Sequence, residues 1–251
     1  MTPLSAVIIA QDEEENLGAA LESVGFCDEV LVVDSGSRDR TREVAAAAGA
    51  RVVVHEPWPG FVAQRNFATG AARHDWVLAI DADERVGPEL RTEIEALRLR
   101  GPAHPGYRMP RVAIYLGREI RATDWYPDPQ LRLFDRRRGR WQGAFVHESV
   151  SVDGTVGRLR GELMHRPYRD VSAHLRKIDA YTTLWARQSL EAGRRAGAFE
   201  LVGSPAWAFL RNYLLRGGCF LGTAGFAVSG LNAYYTFVKL LKLRVLKNGT
   251  P

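Results

Sequence analysis

Between Leu4 and residue 80 the chain alternates short apolar runs with helical stretches, a pattern that few architectures accept. Leu4–Ala10 (LSAVIIA) reads as a strand covered on both faces, and residues 29–33 (EVLVV), Arg51–Val54 and residues 76–80 (WVLAI) read as further strands. Between them, residues 13–24 carry Leu17, Leu21 and Val24 at helical spacing, and residues 39–48 stop at Gly49, a helix C-cap. Residues 61–72 form a third helical stretch after the Pro/Gly-rich loop 55–60. This order implies right-handed βαβ units and a mainly parallel sheet, an α/β fold. Such sheets bind ligands at the carboxyl ends of their strands. Polar residues gather at those ends: Gln11-Asp12-Glu13 after the first strand, Asp34 after the second, Asp81 and Asp83 after the fourth.

Asp81-Ala82-Asp83 ends an apolar strand, and residues i and i+2 of a strand share a face. The pair can therefore aim two carboxylates at one point, which is costly unless a cation stands between them. Hard ions such as Mg²⁺ or Mn²⁺ suit such oxygen ligands together with substrate phosphates. The plainer reading is a solvated turn, with Gly87-Pro88 opening the next helix and Asp83 capping it. Neither G-x-G-x-x-G nor G-x-x-x-x-G-K-S/T occurs, so a bound diphosphate needs a metal and basic side chains, which Asp81, Asp83 and Arg65 can supply.

The net charge of +5 hides an asymmetry. Residues 1–100 hold 10 Lys/Arg against 18 Asp/Glu, net −8, and residues 101–251 hold 24 against 11, net +13. A basic C-terminal half points to an anionic partner: phosphates, a membrane surface or nucleic acid. Two cysteines, Cys27 and Cys219, lie far apart without a partner motif, which suits a reducing compartment and argues against a disulfide scaffold or zinc site. The N-terminus lacks the basic start and apolar core of a signal peptide, so the N-terminal half is expected in the cytosol.

Four strings in register, IIAQDEEENL, VVDSGSRDRT, GFVAQRNFA and WVLAIDADER, resemble family 2 glycosyltransferases of the GT-A fold. WYPDPQLRLF, VHE and MHRPYRD are similar to the branch holding lipopolysaccharide core β-1,4-glucosyl- and heptosyltransferases. The resemblance is dense over about residues 4–170. It implies a metal-dependent, inverting transfer of sugar from a nucleotide-sugar donor (UDP-, ADP- or GDP-linked) to a lipid-linked glycan. It also implies roles. Asp34 corresponds to the aspartate that binds base or ribose, and Glu13, with Gln11 beside it, to a nucleoside contact. A helix-dipole role for Glu13 stays open. Arg65-Asn66 corresponds to the pair near the nucleotide and phosphate, and Asp81 and Asp83 to the metal-holding D-x-D. His165 corresponds to a histidine that joins the metal, although a lone histidine also packs or caps. The base that takes the acceptor's proton follows the D-x-D in the family. This chain has His147-Glu148-Ser149 there, a departure from the family string, so Glu148 and Asp128 compete for that role.

The C-terminal third reads as helical. Residues 171–197 place Leu175, Ile178, Tyr181, Thr182 and Trp185 on one face, and residues 217–238 carry no charge. Twenty-two uncharged residues are long enough to span a bilayer, but five glycines weaken the run, and a buried hairpin is the alternative. The expectation is a catalytic domain over 1–170 and a membrane-associating helical region over 171–251, held at the cytoplasmic face of a bacterial inner membrane. Two other functions fit less well. A sugar-nucleotidyltransferase would carry a basic glycine-rich loop where QDEEENL stands. A non-catalytic membrane-surface nucleotide-binding module would have no need of intact Asp34, Asp81, Asp83 and Glu148. No nucleic-acid module is recognisable.

Overall fold

The computed structural model describes residues 1–143 and 148–247. They divide into two compact units, one of Met1–Arg111 with Asp128–His165, the other of Val112–Pro127 with the chain from Arg166 onward.

The first unit opens as its hydrophobic pattern dictates: β1 (Leu4–Ala10), α1 (Leu17–Ser23), β2 (Glu29–Asp34), α2 (Thr41–Ala47), β3 (Arg51–Val54), α3 (Phe61–Ala71), β4 (Trp76–Asp81). It continues with β5 (Glu84–Val86), α4 (Pro88–Arg100) and β6 (Gly106–Tyr115), whose last residues belong to the second unit together with β7 (Arg118–Ile120). β8 (Asp128–Asp135), β9 (Gly139–Gln142), β10 (Ser149–Val152), β11 (Val156–Arg158) and β12 (Leu163–His165) complete it. The sheet order is β3-β2-β1-β4-β8-β6-β12-β5, with β11 beside β6, while β9 and β10 pair separately. β1, β2, β3 and β4 are mutually parallel, and β8 adds antiparallel to β4. The chain moves outward from β1 to β3 and then returns to the other side of β1 for β4, so the strand order reverses there. A doubly wound sheet opens its ligand crevice at such a point.

Pleating sends alternate residues to opposite faces, and each face builds its own core. Leu4, Ile8, Leu78 and Ile80 pack with Leu17 of α1 and with Leu90 and Ile94 of α4. Val7, Leu31, Val33 and Val77 pack with Phe134 and Trp141. Gly87 and Pro88 start α4 as expected, but Asp83 does not cap it.

The second unit comprises the end of β6 with β7, then α5 (Val171–Glu191), α6 (Ala198–Leu210) and α7 (Gly222–Lys247). Asp170 caps α5 by accepting from the Ala173 N–H. The buried stripe of α5 is His174, Ile178, Thr182 and Ala186, whereas Leu175 and Tyr181 are exposed. Burial there follows packing against α7, whose Lys242 ammonium reaches the Asp179 carboxylate and the hydroxyls of Thr182 and Thr183. The uncharged run 217–238 is not one helix. The chain turns at Gly217 and Gly222, with φ of +73° and +58°, before α7 begins. Gly225 then crosses so close to Gly218 that a Cβ would lie 1.9 Å from the Gly218 carbonyl oxygen. Glycines that weaken a spanning segment thus make a tight hairpin possible. Among the described residues no single helix is long and apolar enough to cross a membrane. One pair bent by 69°, Ala198–Leu215 with Gly218–Lys247, passes by length and composition together.

Candidate active site

Strand register brings the predicted carboxylates to one end of the sheet. Asp34 lies beside Ala10 on one side of β1, and Asp81 beside Ile9 on the other. The two aspartates of the D-x-D then part company. β4 ends at Asp81, Ala82 and Asp83 form a turn, and β5 starts at Glu84, so the shared-face geometry of a continuous strand does not extend to Asp83.

Asp81 is held by arginines. Arg65 Nη2 lies 2.6 Å from its Oδ1, and Arg132 Nη2 lies 2.7 Å from its Oδ2. Arg132 also reaches the fully buried Glu84 at 2.7 Å, and Glu84 takes Arg111 at 2.8 Å and accepts from the Asp81 N–H. Arg111 continues to Asp128, 2.6 Å away. Three carboxylates thus face three guanidiniums in a chain running Arg65, Asp81, Arg132, Glu84, Arg111, Asp128. Burial pushes the Asp81 carboxyl up, but Arg132 and then Arg65 outweigh it and hold it far below the usual carboxylate range. Glu84 is likewise lowered: burial and the Asp81 charge raise it, and Arg132 and Arg111 prevail.

Asp83 meets a different partner. Its Oδ2 stands 3.2 Å from His165 Nε2, because β12 runs antiparallel to β5 with His165 opposite Glu84. One carboxylate oxygen and one imidazole nitrogen fit a hard divalent ion that completes its shell with phosphate and water. Asp81 does not join them. Among the described residues no group of three or more His, Cys, Asp or Glu side chains is arranged to hold a metal.

Asp34 is fully buried. Its Oδ1 accepts from the Gly36 and Ser37 N–H groups at 3.1 Å, and its Oδ2 has no partner among the described residues. Gly36 is required there: its φ is +89°, and a Cβ would lie 2.7 Å from Glu56 Oε1. Beside it Gln64, also buried, links the Ser35 hydroxyl to His55 Nδ1. Glu13 accepts from Asn16 at 2.8 Å. Burial first raises its carboxyl, the Asn16 bond opposes this, and the charges of Asp83, Asp39 and Asp81 add to the rise. Gln11 is exposed at the end of β1.

Arg65 and Asn66 separate in role. The Asn66 amide is committed to the Trp141 backbone, donating to its carbonyl at 2.9 Å and accepting from its N–H at 3.0 Å. That grip sets the Trp141 ring against both arginines, with Arg65 Cζ 4.5 Å and Arg132 Cζ 5.5 Å from its centroid. Of the two candidate bases, Asp128 has both oxygens engaged, one by Arg111 and one by Gln130 at 2.6 Å. Glu148 precedes β10, one step beyond the Ser149–Gln142 pairing that follows Trp141. Its Oε2 is buried without a hydrogen-bond partner among the described residues. Val146 and His147 of the VHE string lie outside the described residues. Arg65 Nε, Arg132 Nε and Trp141 Nε1 are also buried without hydrogen-bond partners among the described residues, so unmet polar atoms concentrate at this end of the sheet. Native interiors leave few such groups, and binding sites are where they are found.

The family model for glycosyl transferase family 2 matches residues 5–144. The chain belongs to that family. The lipopolysaccharide core biosynthesis glycosyltransferase LpsC of Rhizobium meliloti is 34% identical over 96% of this chain and 92% of its own. An uncharacterized glycosyltransferase of Rickettsia typhi is 31% identical over 98% and 88%. Among solved structures, glucosyl-3-phosphoglycerate synthase of Mycobacterium tuberculosis, bound to Mn²⁺, UDP and phosphoglyceric acid, is 28% identical with a TM-score of 0.38, covering 44% of this chain and 43% of that one.

Sequence reasoning about this family 2 glycosyltransferase assigns no part to Glu84, Arg111, Arg132 or Trp141. Arg132 had a signal: it interrupts the apolar run 131–134 of a strand buried on both faces, where an unpaired cation is not tolerated. Glu84 had none beyond its place after the D-x-D.

Proposed function

We infer that the chain is an inverting, divalent-metal-dependent glycosyltransferase that moves a sugar from a nucleotide-sugar to a lipid-linked glycan of the bacterial cell envelope. The observation carrying this reading is the cluster of paired charges and unmet buried polar atoms at the carboxyl ends of β1, β2 and β4. The relation to a lipopolysaccharide core enzyme over nearly the whole of both chains supports the acceptor class. In this reading Asp34 receives the nucleoside through its free oxygen, with Glu13 and Gln11 at the rim. Arg65 faces the diphosphate, and Asn66 positions Trp141 behind it. Asp83 and His165 would hold the ion, which would supply positive charge to neutralise the leaving diphosphate. Glu148 accepts the proton of the acceptor hydroxyl as that oxygen bonds to the anomeric carbon and the carbon–oxygen bond to phosphate breaks on the opposite face.

The test is a panel of UDP-, ADP- and GDP-sugars with Mn²⁺ or Mg²⁺, read as donor hydrolysis and nucleotide affinity. Asp83→Ala should remove the metal dependence of nucleotide binding and abolish turnover without lowering the melting temperature. Full turnover in EDTA, or metal dependence persisting in Asp83→Ala, would sink the assignment.

Membrane association rests on α6 and the segment that follows it. No residue of α6 is buried; its Phe199 is 95% exposed, with Val202 and Trp207 also exposed, and in the stretch before α7 Phe220 is 82% exposed with Leu214 and Leu215 exposed as well. So large an apolar surface marks an interaction site, and the +13 half suits anionic lipid. An interfacial mode predicts flotation with phosphatidylglycerol vesicles and release by carbonate. Replacing Phe199, Val202 and Trp207 with Ser should reduce flotation at least about tenfold; unchanged flotation would refute the surface.

A further inference from the structure

The second unit holds a cavity of about 250 Å³ that no step of the transfer uses. Its walls are aromatic: Trp125, Tyr168, Tyr181 and Tyr235 line it, with Asn232 and Lys177 as polar members. The wall is built, not incidental. Tyr168 stacks on His174 with ring centroids 3.9 Å apart and planes 14° apart, and Trp125 lies 6.0 Å from Tyr168. His174 is itself fixed by the Tyr115 hydroxyl at 3.0 Å. Burial, then the neighbouring Lys177 charge, lower the His174 imidazole to about 4, so it is a neutral wall near pH 7.

The charge of the site selects its ligand. Aromatic boxes commonly take cations, but this one already holds its own: the Lys177 ammonium sits 5.2 Å from the Tyr168 ring and 5.8 Å from that of Tyr181. Among the described residues no ion pair holds Lys177, and none of those lining the cavity is a carboxylate. A second ammonium, Lys239, stands 5.3 Å from the Tyr235 ring. A cationic ligand is therefore repelled and an anionic one drawn in. An alkyl chain would leave Asn232 and Lys177 without function. A pyranose ring has an apolar C–H face for an aromatic wall and hydroxyl edges for Asn232 and the tyrosine hydroxyls. A carboxylate or phosphate on that ring answers Lys177. Leu231 and Tyr235 of α7 face this cavity, while Phe226, Tyr234 and Phe237 of the same helix are exposed.

We propose that this aromatic cavity is a subsite for an acidic pyranose, a sugar ring bearing a carboxylate or phosphate, within the glycan acceptor. The proposal rests on the acceptor reading above and adds the chemistry of one acceptor residue. The experiment uses the full chain in detergent without nucleotide or divalent ion, so its outcome is independent of the donor assay. Saturation-transfer NMR compares D-glucuronic acid, D-glucose 6-phosphate, D-glucose and glycerol 3-phosphate. The expected result is a signal for either acidic sugar at least about fivefold above glucose and glycerol 3-phosphate. Lys177→Gln, a change at an exposed position, should remove that advantage, and Tyr235→Leu should weaken the acidic sugars as a group. Equal signals from glucose overturn the anion requirement, and equal signals from glycerol 3-phosphate overturn the ring. No signal from either acid, or signals surviving both substitutions, overturns the site. Loss of donor hydrolysis in the wild-type chain would instead count against the catalytic reading and leave this result standing.

Discussion

Glu148→Gln should lower kcat by about 10²–10⁴ while nucleotide-sugar affinity stays within about twofold, the signature of losing a general base and nothing else. Glutamine keeps the shape and removes the basicity. The two candidates differ in what their oxygens already do. Asp128 is bound by Arg111 on one oxygen and Gln130 on the other, and freeing it would leave the Arg111 guanidinium partly uncompensated. Glu148 has a buried oxygen with no partner among the described residues, and an acceptor hydroxyl can supply the missing donor. Asp128→Asn is therefore expected to act through the ion-pair chain, lowering stability and raising KM, with a smaller loss of kcat. Steady-state kinetics on both variants decide the matter. If Asp128→Asn shows the larger loss of kcat with unchanged donor affinity, the proton goes to Asp128.

What was legible in the sequence follows from the range of the forces involved. β1 falls where its apolar run puts it, since a strand covered on both faces is written in consecutive residues, and β3, a half-buried edge strand, is placed by its β-branched run instead. Asp34 and Asp81 were legible because a strand end is a local feature and the sheet's topology aligns such ends. The fate of Asp83 was not. It depends on where β4 stops, which a turn of two residues decides, and on β12, some eighty residues downstream. Asn66 reads the same whether it meets a ligand or a backbone, and only the pairing with Trp141, 75 residues away, discriminates. The C-terminal glycines carry a similar lesson. Composition counts them against a spanning helix, but only the approach of Gly225 to Gly218 says what they are for.

Arg132→Met should be the most destabilising single change in the first unit. Methionine matches much of the arginine's apolar volume, so the loss is mainly charge. Arg132 is nearly fully buried and, among the described residues, is the one side chain that ion-pairs with both Asp81 and Glu84. Its removal leaves two buried carboxylates sharing Arg65 and Arg111, and breaking a buried pair from one side costs about 3–5 kcal/mol. For a chain of this size that lowers the melting temperature by on the order of 10 °C. The pH dependence distinguishes charge from packing. In the wild type both carboxyls lie below their unfolded values of about 4, so their contribution is full above that pH and fades as pH falls through the folded values. In the variant, burial acts against weaker compensation and the folded values rise, so protonation relieves the penalty. The stability gap between wild type and Arg132→Met should therefore narrow as pH is lowered from 7 toward 4. Urea titrations at pH 7, 5.5 and 4.5 measure it. A gap that stays constant across that range would mean that Arg132 stabilises by filling space, and the alternating chain of charges would lose its claim to hold the site together.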